Sequence, residues 1–178
     1  MFSGFKEILM LKPSYWPVLT ASFILASGFI TTLSAKTPEP IQQYNLSLKL
    51  AEHLADHTIT ACHAQQKNIA VAVLDRGGNI LVLKRHESVG PHNTLAAQRK
   101  AYTALSTKTR TSVLNRNAQN NPEASNLNTL NELLLLGGGI PVTYKNEVIG
   151  AVGVAGGGGA AQDEACAEQG VQKSLSQE

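Results

Sequence analysis

The sequence predicts an α+β domain, an antiparallel sheet covered by helices. Three observations lead there. Two pairs of β-rich runs are each closed by a tight turn, which pairs strands antiparallel. Segments with helical spacing stand before, between and after those pairs, in the order helix, hairpin, helices, hairpin, helix. Hydrophobic residues make up 43% of the 178, enough to bury a core.

Residues Met1–Ala35 read apart from the rest. Lys6 and Lys12 precede an uncharged apolar run, Val18–Leu33, that includes Phe23, Ile24, Leu25, Phe29 and Ile30. The run is short against the roughly 20 apolar residues of a membrane span and suits a signal peptide cut after Ala35. An uncleaved anchor is the alternative. No cysteine stands at the cut, which argues against a lipoprotein. On this reading the protein is periplasmic or secreted and has no membrane partner once the leader is gone. Residues 36–43 form a linker with two prolines, and the domain occupies residues 44–178.

Within the domain, Tyr44–Gln66 has helical spacing: Leu50, Leu54, Thr58 and Ala61 share a face, with Ala51 and Cys62 at its edge. Ile69–Asp75 and Ile80–Lys84 read as strands joined at Gly77-Gly78-Asn79. His86–Asn93 is a loop containing Gly90 and Pro91. Thr94–Ser106 is helical, with Leu95, Gln98, Tyr102 and Leu105 recurring at helical intervals. Thr111–Asn117 is a shorter helix, and the Asn-rich stretch Ala118–Asn128 is loop. Leu130–Leu136 is apolar but fits strand or helix equally, and Gly137–Gly139 and Pro141 end it. Ile140–Tyr144 and Val148–Val154 form a second hairpin around Lys145-Asn146. The glycine run Gly156–Gly159 leads into a last helix, Gln162–Leu175.

Composition removes several functions. The net charge is +2, from 15 Lys+Arg and 13 Asp+Glu, so a strongly basic nucleic-acid surface is not expected. Two cysteines make neither a disulfide-dense scaffold nor a four-Cys zinc site. No Ser-His-Asp or Cys-His arrangement can be argued, because Cys62 and His63 are adjacent on a helix and diverge. His53 and His57 share a helix face but read as solvated, since Glu52 and Asp56 point elsewhere. Gly156–Gly159 lacks the Lys-Ser/Thr ending of a phosphate loop, and Asp163 and Glu164 already place negative charge at the helix start.

The runs Val71–Asn79, Gly90–Asn93, Gln98–Ala104, Gly137–Val142, Ile149–Val154 and Asp163–Cys166, in that order, resemble the haem-binding family named after GlcG and HbpS. The resemblance covers about residues 45–175 and rests on order and spacing together. It implies a profilin-like fold with a five-stranded antiparallel sheet, homo-oligomers, and haem as cofactor in some secreted relatives. The family label also includes haem degradation.

Against that background His92 is the leading candidate metal ligand, following Gly90-Pro91 on a rigid loop where an imidazole can bind iron. Asn93 and Thr94 can hydrogen-bond beside it. In the competing reading one of them caps the helix and His92 is a solvated loop residue. Arg99 and Lys100 are candidate propionate partners, or else a solvated helix face or an interface pair. Arg85 and His86 end the second strand and are expected to line the same cleft. Cys62 and Cys166 are expected to form a disulfide in an oxidising compartment, the resembling fold placing first and last helices side by side. The alternative is two buried thiols that never meet. Three functions are open: haem binding or handling, haem- or metal-dependent degradation, and a cofactor-free oligomeric binding module.

Overall fold

The structure is a computed structural model that describes residues 37–176. The expected leader, Met1–Ala35, lies outside the described residues. From Ile41 the chain forms one compact unit, Ile41–Glu178.

Helix α1 spans Leu48–His63, and Ser47 caps it by accepting a hydrogen bond from the Leu50 N–H at 3.2 Å. Strands β1 (Ala70–Asp75) and β2 (Ile80–Arg85) form the first hairpin. Its turn is held by Asp75, whose Oδ1 accepts from the Asn79 N–H at 2.8 Å. Gly78 supplies a φ of +84° there. Helix α2 (His92–Thr107) and helix α3 (Thr111–Asn120) come next. The stretch expected to be all loop contains a short helix, α4 (Pro122–Ser125), and a 3-10 turn at Asn126–Thr129. Asn121 caps α4 and Pro122 takes the first helical position, where no N–H is needed. Strands β3 (Gly139–Tyr144) and β4 (Glu147–Ala155) meet at Lys145-Asn146, both with positive φ, the geometry of a two-residue hairpin turn. Helix α5 (Ala160–Leu175) closes the domain.

Among the described residues the sheet has four strands, in the order β2-β1-β4-β3 and antiparallel throughout, where the resemblance implies five. The ambiguous run Leu130–Leu136 adds no strand. It turns on itself through Leu133 N–H to Leu130 O and Leu136 N–H to Leu134 O. Leu133 and Leu135 bury against Ala118 in a small cluster with Leu114, Ala124 and Leu127. No helix among the described residues is long and apolar enough to cross a membrane.

Side chains alternate across the sheet, and the alternation sorts them by size. Val71, Val73, Ile140, Val142, Val152 and Val154 point to one face, where they form the main core with Leu54 and Ala51 of α1 and Ala167 of α5. Cys62 and Cys166 are disulfide-bonded within that core, Cα atoms 5.2 Å apart, so the expected bridge is present. The other face offers Ala70, Ala72, Ala151, Gly153 and Ala155, and α2 covers it with Ala97, Ala101 and Ala104. Here the helix rests on backbone. A Cβ at Gly153 would stand 2.1 Å from the Ala97 carbonyl oxygen, and one at Gly139 2.2 Å from that of Lys100.

Candidate functional site

That close seating of α2 decides which of its residues meet solvent. Its inner side is Ala97, Lys100, Ala101, Thr103 and Ala104. The stripe predicted from helical spacing therefore faces outward: Leu95 is 58% exposed and Tyr102 39%. Large apolar side chains at such exposure, kept from the core by small residues beneath, form a surface rather than a packing face.

They wall a cleft of ≈ 550 Å³ between α2, the β1–β2 hairpin and the loop before β3. Leu74, Ile80, Leu95 and Tyr102 give it apolar walls, and Gln98, Arg99 and Glu132 its polar points. Volume and lining suit a small, mostly apolar ligand. From Leu95 to Tyr102 the helix rises about 10 Å, which sets the length of this wall. Arg99 donates from Nη2 to the Leu133 carbonyl. Its Nε is buried and has no hydrogen-bond partner among the described residues. A buried, unpaired guanidinium N–H is costly unless something accepts from it.

A second cleft, ≈ 390 Å³, adjoins the first and shares Gly78 and Tyr102 with it. Arg76, Ser106, Lys108, Asn146 and Glu147 make it polar. A Cβ at Gly78 would stand 3.2 Å from Tyr102 Cε2, so the glycine lets the phenol ring lie against the hairpin turn. Burial pushes the Asp75 carboxyl up, but hydrogen bonds from the Asn79 side chain, the Asn79 N–H and the Gly77 N–H outweigh it. The group sits below the ordinary aspartate value and holds the turn as a carboxylate.

The sequence-predicted residues divide between these surroundings. His92 is exposed at the first position of α2, and His92, Leu95, Arg99 and Tyr102 fall at three- and four-residue intervals on one side of it. It stands one turn before the cleft wall begins. Its ring folds back over the loop, its Cε1 3.0 Å from where a Cβ at Gly90 would be. Neither Asn93 nor Thr94 caps the helix, as one reading expected. Pro91 occupies the cap position, and the Asn93 Nδ2 instead donates to the Gly90 carbonyl at 3.1 Å. Thr94 is half-buried on the first turn.

Lys100 must be corrected. It is 1% exposed and faces the sheet, its Nζ donating to Asp163 Oδ2 at 2.8 Å and to the Val154 carbonyl at 2.9 Å. It neither reaches the cleft nor lies on a solvated face. Asp163, expected to serve the dipole of the last helix, is its buried counter-ion and also accepts from the Gly157 N–H at 2.7 Å. Arg85 and His86 do not line the α2 cleft either. They border a separate hollow with Ile59, His63, Lys67 and Ile69. His53 and His57 have ring centroids 6.2 Å apart, and His57 Nδ1 bonds Ser174 Oγ at 2.9 Å. No group of three or more His, Cys, Asp or Glu side chains gathers for a metal among the described residues.

Leu74, Gly78, Ile80 and Glu132 were missed as site residues. A signal was there: Ala97, Ala101 and Ala104 opposite Leu95 and Tyr102, with Gly139 and Gly153 inside β3 and β4.

The family model described as "Haem degrading protein HbpS-like" matches residues 46–172. An uncharacterized 15.0 kDa protein of Citrobacter freundii is 33% identical over 91 residues, which span 50% of this chain and 64% of that protein, less than two thirds of its length. Protein GlcG of Escherichia coli K12 is 35% identical over 109 residues, 59% of this chain and 80% of that one. The crystal structure of HbpS superposes with a TM-score of 0.72 at 34% identity, covering 79% of this chain and 98% of that chain. A PduOC:heme complex shares the fold at 23% identity, with a TM-score of 0.65 over 72% of this chain and 94% of that one.

Proposed function

This chain belongs to the HbpS-like haem-degrading family, and from that premise we propose that it binds haem in the cleft along the outer side of α2. The observation that carries the reading is the cleft itself: ≈ 550 Å³, apolar-walled, and backed by a guanidinium with an unpaired N–H. These residues fit the group. A macrocycle is flat and apolar, and Leu74, Ile80, Leu95 and Tyr102 offer such a ligand their side chains. Arg99 is the propionate partner on this reading; Lys100 is not.

Haem, when bound, would supply an iron centre that takes nitrogen or oxygen ligands and undergoes redox chemistry. The chain's own work is to hold and orient it. His92 presents an imidazole at the start of the α2 stripe, and Asn93 steadies the preceding loop through the Gly90 carbonyl. We assign His92 as the residue whose imidazole would hold the iron, with Asn93 and Thr94 beside it. The protein is proposed to act as a homo-oligomer in the periplasm or outside the cell. The Cys62–Cys166 bridge supports an oxidising compartment.

Titration of the full chain with haemin tests this. A Soret shift that saturates is expected, and its position should change in His92→Ala. An unchanged spectrum and affinity in that variant removes His92 from the site. Absence of any shift in the wild type leaves a cofactor-free binding module. The family's description favours a second reading, degradation. With reductant and dioxygen, a stable band means haem handling, and loss of the band with release of iron means degradation.

A further inference from the structure

We infer that the polar cleft beyond Tyr102 is a carboxylate subsite, so that the two clefts form one amphipathic groove for a flat apolar ligand with acidic arms. The inference rests on the haem reading and adds the residues that would hold the acid groups. It begins from shared walls: Gly78 and Tyr102 border both clefts.

The two halves differ in chemistry. The apolar half is lined by one cation and one anion, Arg99 and Glu132. The polar half is lined by two cations, Arg76 and Lys108, and one anion, Glu147. That anion is already engaged, accepting from Arg76 Nη1 at 2.8 Å. The same Nη1 donates to the Val148 carbonyl at 3.3 Å, which leaves Nη2 and Nε of Arg76 without a protein partner among the described residues. The Lys108 ammonium, the Ser106 hydroxyl and the Tyr102 phenol likewise have no hydrogen-bond partner among the described residues. Two cations with one anion already paired select a ligand that brings negative charge, and a carboxylate accepts from a guanidinium through two oxygens.

Placement adds to this. Lys108 ends α2 with a φ of +51°, its N–H bonded to the Leu105 carbonyl, so its side chain leaves the helix at the mouth of the polar half. Arg76 is fixed by the β3–β4 hairpin through Glu147 and Val148. A ligand lying against Leu95 and Tyr102 therefore meets cations at the Tyr102 end.

The test compares haemin with haemin dimethyl ester, which keeps the macrocycle and loses both acids, on the full chain. Lys108→Asn removes the charge and tolerates the left-handed backbone; Arg76→Gln removes the guanidinium. Haemin should bind about threefold more weakly to Lys108→Asn and about tenfold more weakly to Arg76→Gln. The ester should bind wild type and both variants alike. Equal haemin affinity in all three proteins, with binding intact, overturns the subsite and leaves the apolar cleft standing. Equal weakening of haemin and ester means a structural effect and also overturns it. No binding of haemin by the wild type sinks the haem reading, and the subsite with it.

Discussion

The two faces of the sheet are built on opposite principles. On the α1/α5 face the strands present valine and isoleucine, and the helices fill the space with Leu54, Ala167 and a disulfide. On the α2 face the strands present alanine and glycine, and the helix comes down onto backbone. The first face stabilises by filled volume, the second by proximity. Proximity has a consequence that volume does not: the large side chains of α2 have nowhere to go but outward, and they make the cleft. Core and site are thus two results of one alternation along β1 and β4.

The largest effect should come from the filled face. Closing a loop across a sequence separation of 104 residues is worth about 4.7 kcal/mol in the chain-entropy model, with real values often lower. The double variant Cys62→Ser, Cys166→Ser should lose about 3–4 kcal/mol in urea unfolding. An unchanged midpoint would mean that packing alone holds α1 to α5.

The next pair reverses the sign of the change in size. Leu54→Ala removes atoms from the filled face and should cost about 3 kcal/mol through the cavity it leaves. Gly153→Val adds atoms to the other face, where even a Cβ lies 2.1 Å from the Ala97 carbonyl, and should cost about 3 kcal/mol by forcing α2 off the sheet. The glycine variant should also lose the cleft. Tolerance of Gly153→Val in thermal melts would break the comparison.

A smaller effect concerns the turn that walls the cleft. The Asp75 carboxyl is held below its ordinary value, so its stabilising contribution is complete above that value. The contribution is lost as pH falls through the lowered folded value, below about pH 4. Asp75→Asn should flatten the acid limb of stability against pH. A limb as steep as that of the wild type would show the turn is held otherwise.

How far the sequence carried this picture depends on what kind of signal each part left. Turn residues and strand runs are local, so both hairpins and all three long helices were legible. The Cys62–Cys166 bridge was legible because the resembling fold sets the first and last helices side by side. The direction in which α2 faces was not. Leu95, Gln98, Tyr102 and Leu105 have helical spacing whether the helix buries them or the alanines opposite, and the choice is made by glycines in strands distant in sequence. Lys100 misled for the same reason: its partner, Asp163, is 63 residues away, and a lysine beside an arginine reads as surface until that partner is seen. The fate of Leu130–Leu136 depended on whether Ala118 and its neighbours would receive it, which no local pattern states.

Whether the outer stripe of α2 is a ligand surface or a core decides between the two accounts of this face. One preparation of Leu95→Asp, melted and titrated with haemin beside the wild type, tells them apart. Leu95 is 58% exposed, so stability should stay within about 0.5 kcal/mol of the wild type. Haemin affinity should fall at least about tenfold, because a carboxylate would then face an apolar ligand in the wall of its cleft. A melting temperature lowered by several degrees with the haemin titration unchanged would contradict the ligand surface.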